Sequence, residues 1–191
     1  MTRRYALVFG GFLIVMALVG AGITVAVRWY RGSRSGAVAT AAAPAAPAPP
    51  GRRIKARLFY VADDGARLTS VEREVAYGEG TVEQARQIVE AQIAPVAEPL
   101  VSAMPPATKL RAIFITERAE AFVDLSSELA TGHTGGSTDE ILTVYALVNA
   151  LTANLPAVKS VQILVNGRQI ETLAGHVDLR RPLEQNLEWV Q

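Results

Sequence analysis

Residues 137–173 read STDEILTVYALVNALTANLPAVKSVQILVNGRQIETL, a helix followed by a hairpin, and that order decides the fold class. Ile141, Val144, Tyr145, Val148, Leu151 and Leu155 recur at helical spacing, so they face inward, and Pro156 stops the run. Ser137-Thr138-Asp139-Glu140 has the form of a capping box, in which the Ser hydroxyl takes up a free helix-terminal N–H and the Glu reaches back. Beyond the proline, residues 160–165 and 168–173 flank Asn166-Gly167. Both central residues of a two-residue hairpin turn take positive φ, which Asn and Gly tolerate, so the flanking runs are expected to pair.

The chain before this stretch supplies matching parts. Residues 109–116 and 121–126 read as an antiparallel pair around the polar turn 117–120, preceded by a loop, 96–108, that holds Pro99, Pro105 and Pro106. Thr81-Val82-Glu83-Gln84 is a second capping box. It opens a helix with Val82, Ala85, Ile88, Val89 and Ile93 on one face, ended by Pro95. Residues 54–61 alternate apolar and charged before becoming apolar. After the turn Asp63-Asp64-Gly65, residues 67–77 continue as extended chain with Leu68, Val71 and Val75. The order β, β, α, β, β, α, β, β predicts an α+β domain over residues 54–183. It should be one mainly antiparallel sheet with two amphipathic helices packed on one face and the other face partly wet. Residues 184–191 are expected to be a C-terminal tail.

The N-terminal 53 residues differ in kind. Residues 1–5 form a short tail, and from Ala6 to Val27 the chain reads ALVFGGFLIVMALVGAGITVAV, without a charge. As a helix at about 1.5 Å per residue this spans about 33 Å, the thickness of a bilayer's hydrocarbon core. A cleaved signal peptide has a shorter apolar run leading straight to its cleavage site. Here Arg28, Arg31 and Arg34 separate the run from the small residues Ala37-Val38-Ala39, which favours retention. Trp29 and Tyr30 stand at the outer end, where amphipathic rings prefer the interface. Residues 28–53 are basic, then rich in Ala and Pro, and read as an extended tether.

The net charge of +1 conceals a division. Seven of the 19 basic residues precede Ile54 and none of the 18 acidic ones does, which leaves 12 against 18, a charge of −6, for the rest. An acidic domain lacks the footprint of a nucleic-acid binder, whereas the basic flanks suit lipid headgroups. Cysteine is absent, which excludes disulfides, a Cys nucleophile and the lipid-modified cysteine of a lipoprotein.

Several separated motifs closely resemble the GerMN domain of sporulation and spore-germination proteins. They are Gly135-Gly136-Ser137-x-x-Glu140-Ile141 opening a helix with Val144-Tyr145 and Val148-Asn149, Phe122-Val123-Asp124-Leu125-Ser126 before it, and Val161-x-Ile163-Leu164-Val165-x-Gly167 after it. Thr172-Leu173-x-Gly175-His176-Val177-Asp178 adds a fourth. The resemblance covers about residues 54–183. It implies a fold similar to the ring-building motifs of envelope-spanning assemblies, in a non-catalytic, extracytoplasmic module without a cofactor. Asp124, Gly135, Gly136, Ser137, Glu140, Tyr145, Asn149, Gly167, Gly175, His176 and Asp178 are then signature and structural positions. The partners it implies are copies of the chain or another envelope protein, besides the bilayer that holds the N-terminal helix. The location is a bacterial inner or cytoplasmic membrane, crossed once, with the domain on the extracytoplasmic side. The best-known member looks like a lipoprotein with two such domains, whereas this chain has a helical anchor, no cysteine and one copy.

Enzyme chemistry finds little support in the residues. Thr131-Gly132-His133-Thr134-Gly135-Gly136-Ser137-Thr138 leads onto a helix N-terminus able to cradle an anion, but it lacks the lysine of a P-loop and the dinucleotide glycine spacing. Its simpler reading is a sharp turn into a Ser-capped helix. A hydrolase would draw on Ser126 or Ser137, His133 or His176, and Asp124 or Asp178, yet no serine lies in G-x-S-x-G. His176-x-Asp178 gives two metal ligands, which do not define a site. More simply, Asp178 and His176 tie the C-terminal segment to backbone groups, and Asp124 does the same at its strand end. The alternative to an assembly module is a small-ligand or cell-wall-glycan binder using the glycine-rich loop. The sparse aromatic content argues against that alternative.

Overall fold

The computed structural model describes residues 51–191. The membrane helix expected at 6–27, its interfacial Trp29 and Tyr30, and the tether up to residue 50 lie outside the described residues. Among the described residues no helix is long and apolar enough to cross a membrane.

The elements are β1 (Arg53–Val61), β2 (Leu68–Ala76), α1 (Gly80–Ile93), β3 (Leu110–Ile115), β4 (Glu120–Leu125), a single turn α2 (Glu128–Thr131), α3 (Ser137–Asn154), β5 (Ser160–Val165), β6 (Arg168–Gln169) and β7 (Leu183–Glu184). The class is α+β, but the strands form two sheets where one was expected. β1 and β2 make an antiparallel hairpin of their own. The second sheet runs β3-β4-β5-β6, with β7 also on β5. Its central pair, β4 and β5, is parallel, because the connection between them carries α3 and returns the chain to the end from which β4 began.

The helices lie between the two sheets and not on one face of a single sheet. α1 packs against β1, β2, β3 and α3, and α3 against β1, β5 and β7. The reason is in the sequence of α3, where Leu142, Val144, Ala146, Leu147, Val148, Ala150 and Leu151 are all buried. A helix that is apolar nearly all round needs cover on more than one side. Ile141 and Tyr145, expected to face fully inward, are half-buried as a result. β1 is enclosed in the same way at its far end, where Leu58, Phe59 and Tyr60 are buried in succession. On α1 the buried face is formed by Gln84, Ala85, Ile88, Val89 and Gln92, and Val82, expected within it, is exposed.

Both helix starts differ from the capping boxes read in the sequence. The Ser137 hydroxyl makes no cap bond, because the cap position is Gly136, whose φ of 92° only glycine adopts readily. At α1 the cap position is Glu79, also without a side-chain cap bond. Gln84 reaches back as a capping-box residue would, but past the helix start: its Oε1 accepts the Gly78 N–H (3.0 Å) and its Nε2 donates to the Ala76 carbonyl (3.2 Å).

The C-terminal boundaries shift as well. The Asn166-Gly167 hairpin forms, but its second strand is two residues long instead of six. The chain then loops away and returns as β7, antiparallel to the opposite end of β5. Residues 184–191 are not a free tail. Leu68 donates to the Trp189 carbonyl (2.6 Å) and accepts from Gln191 N–H (2.9 Å), and Trp189 and Val190 pack on the core. At the other end Arg53, expected in the tether, is the first residue of β1.

Candidate functional site

Glu140 lies one turn into α3, is fully buried, and faces the loop after β6. Its Oε1 accepts the Leu173 N–H (2.8 Å) and its Oε2 the His176 N–H (2.8 Å), with His176 Nδ1 at 3.1 Å from Oε2. A carboxylate oxygen can only accept, so Nδ1 carries the proton. Burial works against ionisation of Glu140, but backbone N–H groups of Ala174, His176, Leu173 and Val177 outweigh it and hold the carboxyl below its ordinary value. The loop closes around the carboxylate through Gly175, whose φ is 98°. The signature that holds Glu140 and the one that holds Leu173 and His176, far apart in the chain, are therefore two halves of one contact. Glu140 does not return to Ser137 because this cluster of backbone donors takes it instead.

Asp124 does comparable work at the end of β4. Its Oδ1 accepts the Gly167 N–H (2.6 Å) and its Oδ2 the Arg111 Nε–H (3.1 Å), while Arg111 Nη1 donates to Asn166 Oδ1 (2.7 Å). The tip of the β5–β6 turn is thus fastened to β3 and β4. Asn149, fully buried on α3, donates to the Asn186 carbonyl (2.7 Å) and accepts the Asn186 N–H (3.0 Å). Tyr145 packs beside the core from a half-buried position. Asp178 lies outside the Glu140 cluster. It binds the Arg180 guanidinium and backbone N–H, and the Arg180 hydrogen bonds lower its carboxyl to about 2.

Further clamps of this kind come from residues that the sequence motifs do not include. Gln92 on α1 accepts the Phe59 N–H (2.9 Å) and donates to the Phe59 carbonyl (2.6 Å). Asn154 at the end of α3 treats Arg57 the same way (2.8 and 2.7 Å). Gln162 on β5 donates to the Leu179 carbonyl (2.7 Å), across the gap that β6 and β7 leave beside β5. Such residues look like the wet side of an element. The one clue was a polar residue recurring within an apolar stripe, as Gln84 and Gln92 do around Ala85, Ile88 and Val89. Among the described residues, no buried side-chain nitrogen or oxygen lacks a hydrogen-bond partner.

The glycine-rich loop borders a cleft of about 340 Å³ walled by Val61, Val101, Met104, His133, Asp139 and Leu142. Gly135 N–H donates to His133 Nδ1 (3.0 Å), and the Thr143 hydroxyl gives its proton to the Ala103 carbonyl (2.7 Å). His133 Nε2, 3.3 Å from Thr143 Oγ1, therefore carries the hydrogen of a neutral ring. Asp139 accepts from the Thr134 hydroxyl (3.1 Å). The polar groups of the wall are bonded to one another. Nor do the hydrolase candidates meet: Ser126 Oγ accepts the Lys109 N–H, His133 bonds Gly135 and Thr143, and Asp124 and Asp178 hold arginines. Among the described residues no three His, Cys, Asp or Glu side chains gather closely enough to hold a metal.

Comparison with known proteins agrees with this architecture. No curated protein sequence matches the chain. A Clostridium perfringens protein described as a lipoprotein has a similar fold, at 21% identity over 69% of this chain and 87% of its own, with a TM-score of 0.50. The tandem GerMN domains of the sporulation protein GerM from Bacillus subtilis are similar at 15% identity and a TM-score of 0.53, over 71% of this chain and 46% of that one. At these identities the likeness concerns the fold alone. Residues 57–171 match the family described as Germane, sporulation and spore germination. That match spans more than half of the 191 residues and contains the whole Asp124 clamp together with Glu140 and Asn149, so the chain belongs to the GerMN family of sporulation and spore-germination proteins.

Proposed function

We propose that this chain is a membrane-anchored, non-catalytic module that carries its GerMN domain on the extracytoplasmic side of a bacterial cytoplasmic membrane and assembles there with other envelope proteins. The observation that carries this reading is the employment of its chemically capable side chains. Glu140 is held by Leu173 and His176, Asp124 by Gly167 and Arg111, and His133 by Gly135 and Thr143. A nucleophile needs a proton acceptor beside it, and a general base needs a free lone pair aimed at substrate, whereas these groups are engaged by the backbone and side chains of their own domain. The uncharged run at residues 6–27 supplies the anchor, and sporulation or germination is the setting that the family suggests.

The test has three arms on the full-length chain in its membrane. Carbonate washing should leave the protein in the pellet, protease added to spheroplasts should cut the domain, and crosslinking in intact cells should yield a species larger than the monomer. Release by carbonate, or a mature N-terminus beginning beyond Arg34, would remove the anchor. A domain shielded from protease would reverse the orientation. A monomer recovered alone would end the assembly reading.

A further inference from the structure

The two edges of the β1–β2 hairpin are built differently. β1 has its outer edge closed at three successive outward positions: Asn154 takes both backbone groups of Arg57, Gln92 takes both of Phe59, and Val61 N–H donates to the Val101 carbonyl at 2.9 Å. β2 is closed only at its two ends, where Leu68 bonds Trp189 and Gln191 and the Ala76 carbonyl accepts from Gln84 Nε2. In an antiparallel pair, alternate residues turn their N–H and C=O groups away from the partner strand. Since Leu68 bonds outward, Ser70, Glu72 and Glu74 also present theirs outward. All three residues are exposed, and among the described residues these backbone groups have no hydrogen-bond partner.

We propose that the β2 edge from Ser70 to Glu74 receives an extended, basic segment of a partner protein as a third strand. This rests on the reading of the domain as an assembly module and gives that reading a surface. Strand addition takes affinity from the main-chain ladder and specificity from alternate side chains. On one face the edge offers Glu72 and Glu74, and on the other the half-buried Val71 and the buried Val75 on either side of Arg73, whose guanidinium is bonded to the Tyr60 hydroxyl. The complement is a strand with Lys or Arg facing the glutamates and apolar residues facing the valines. β1 already has that pattern. Arg57 stands opposite Glu72 and Lys55 opposite Glu74, while Leu58 faces Val71 and Ile54 faces Val75. An incoming basic strand would place the glutamates between two rows of positive charge.

The same edge disfavours a second copy of itself. Pairing two β2 strands antiparallel about Arg73 sets each Glu72 opposite a Glu74 and the two Arg73 residues opposite each other, and like charges directly across a ladder are destabilising. The Leu68–Gln191 contact limits the added strand to positions beyond Leu68.

The experiment uses the full-length protein in lipid nanodiscs, titrated with an eight-residue peptide of alternating lysine and valine, or of alternating glutamate and valine. Amide hydrogen exchange at Ser70, Glu72 and Glu74 is the readout, with Leu68 as the internal reference. The lysine peptide should slow exchange at the three edge amides at least tenfold at saturation and leave Leu68 unchanged, and the glutamate peptide should do neither. The exposed double change Glu72→Gln with Glu74→Gln should weaken the lysine peptide at least tenfold while the melting curve stays in place. Equal effects of the two peptides, protection elsewhere, or protection that grows with protein concentration alone would each overturn the proposal. A photo-crosslinker at position 72 that stays silent in cells while one on another surface captures a partner would end this inference and spare the assembly reading. Silence at every surface would end the assembly reading itself.

Discussion

Glu140→Gln is the sharpest test of how this domain is held together, because it keeps the side chain's shape and removes its charge. The two carboxylate oxygens accept the Leu173 and His176 N–H groups at 2.8 Å each. A glutamine offers one oxygen and one NH₂ in the same space, so one of those N–H groups must face a donor. A hydrogen bond to a charged group contributes about 1.5–3 kcal/mol, and a buried N–H without an acceptor costs about 1–3 kcal/mol. The two overlap, so the expected loss is about 3 kcal/mol, or about 10 °C of melting temperature for a domain of this size. Urea denaturation measures the loss, and amide exchange at Leu173 and His176 locates it. The pH dependence has a definite sign. The native carboxyl of Glu140 lies below its ordinary 4.5, so its contribution is present above that value and fades as the pH falls through the lower native one. The parent protein should therefore lose stability on acidification through this window, and Glu140→Gln should lose less. A variant that melts within about 2 °C of the parent, with both amides still protected, would refute the reasoning.

Three further substitutions separate clamps from bystanders. Gln92→Ala strips a partner from both backbone groups of the fully buried Phe59 and should cost about 3 kcal/mol, read as a lower urea midpoint at constant m value. Asp124→Ala frees the Gly167 N–H and leaves Arg111 without its ion pair; a loss of about 2 kcal/mol and faster exchange at Gly167 are expected. Ser137→Ala should change stability by less than about 0.5 kcal/mol, because its hydroxyl makes no cap bond, and a loss near the roughly 1 kcal/mol of a true cap would restore the capping box.

What the sequence made legible was what neighbouring residues decide. Both long helices, the Asn166-Gly167 turn and the major strands follow from periodicity and turn chemistry, which act over a few residues. Splitting the strands into two sheets required knowing that α3 is buried on several sides, and the Leu142, Thr143 and Ala146 positions that reveal it lie outside the stripe that periodicity selects. Glu140 was misread for an instructive reason. Ser-x-x-Glu is a local pattern, and its local partner offers a single N–H, whereas residues 173–177 bring several donors from more than thirty positions away. No local rule contains that competition. The last eight residues are short, mixed and without a period, so their docking on Leu68 and Asn149 left no trace to read.

The clamps share a chemistry that explains their positions. A strand edge needs a donor and an acceptor about as far apart as those of a peptide, and the side-chain amide of Asn or Gln carries both. Asn154 and Gln92 stand where a third strand would pair with β1, and Gln162 bridges where β6 and β7 stop short of covering β5. A helix can thus close a sheet edge in place of another strand, and where the closing side chain is the fully buried Gln92 a passing peptide cannot open the edge without exposing core. Open edges invite association, so closing β1 from Arg57 to Val61 narrows the hairpin's open ladder to the first residues of β1, through Lys55, and the acidic stretch of β2. The position of each amide is therefore also a statement about where this domain avoids contact, and the glutamates of β2 mark where contact is electrostatically selected.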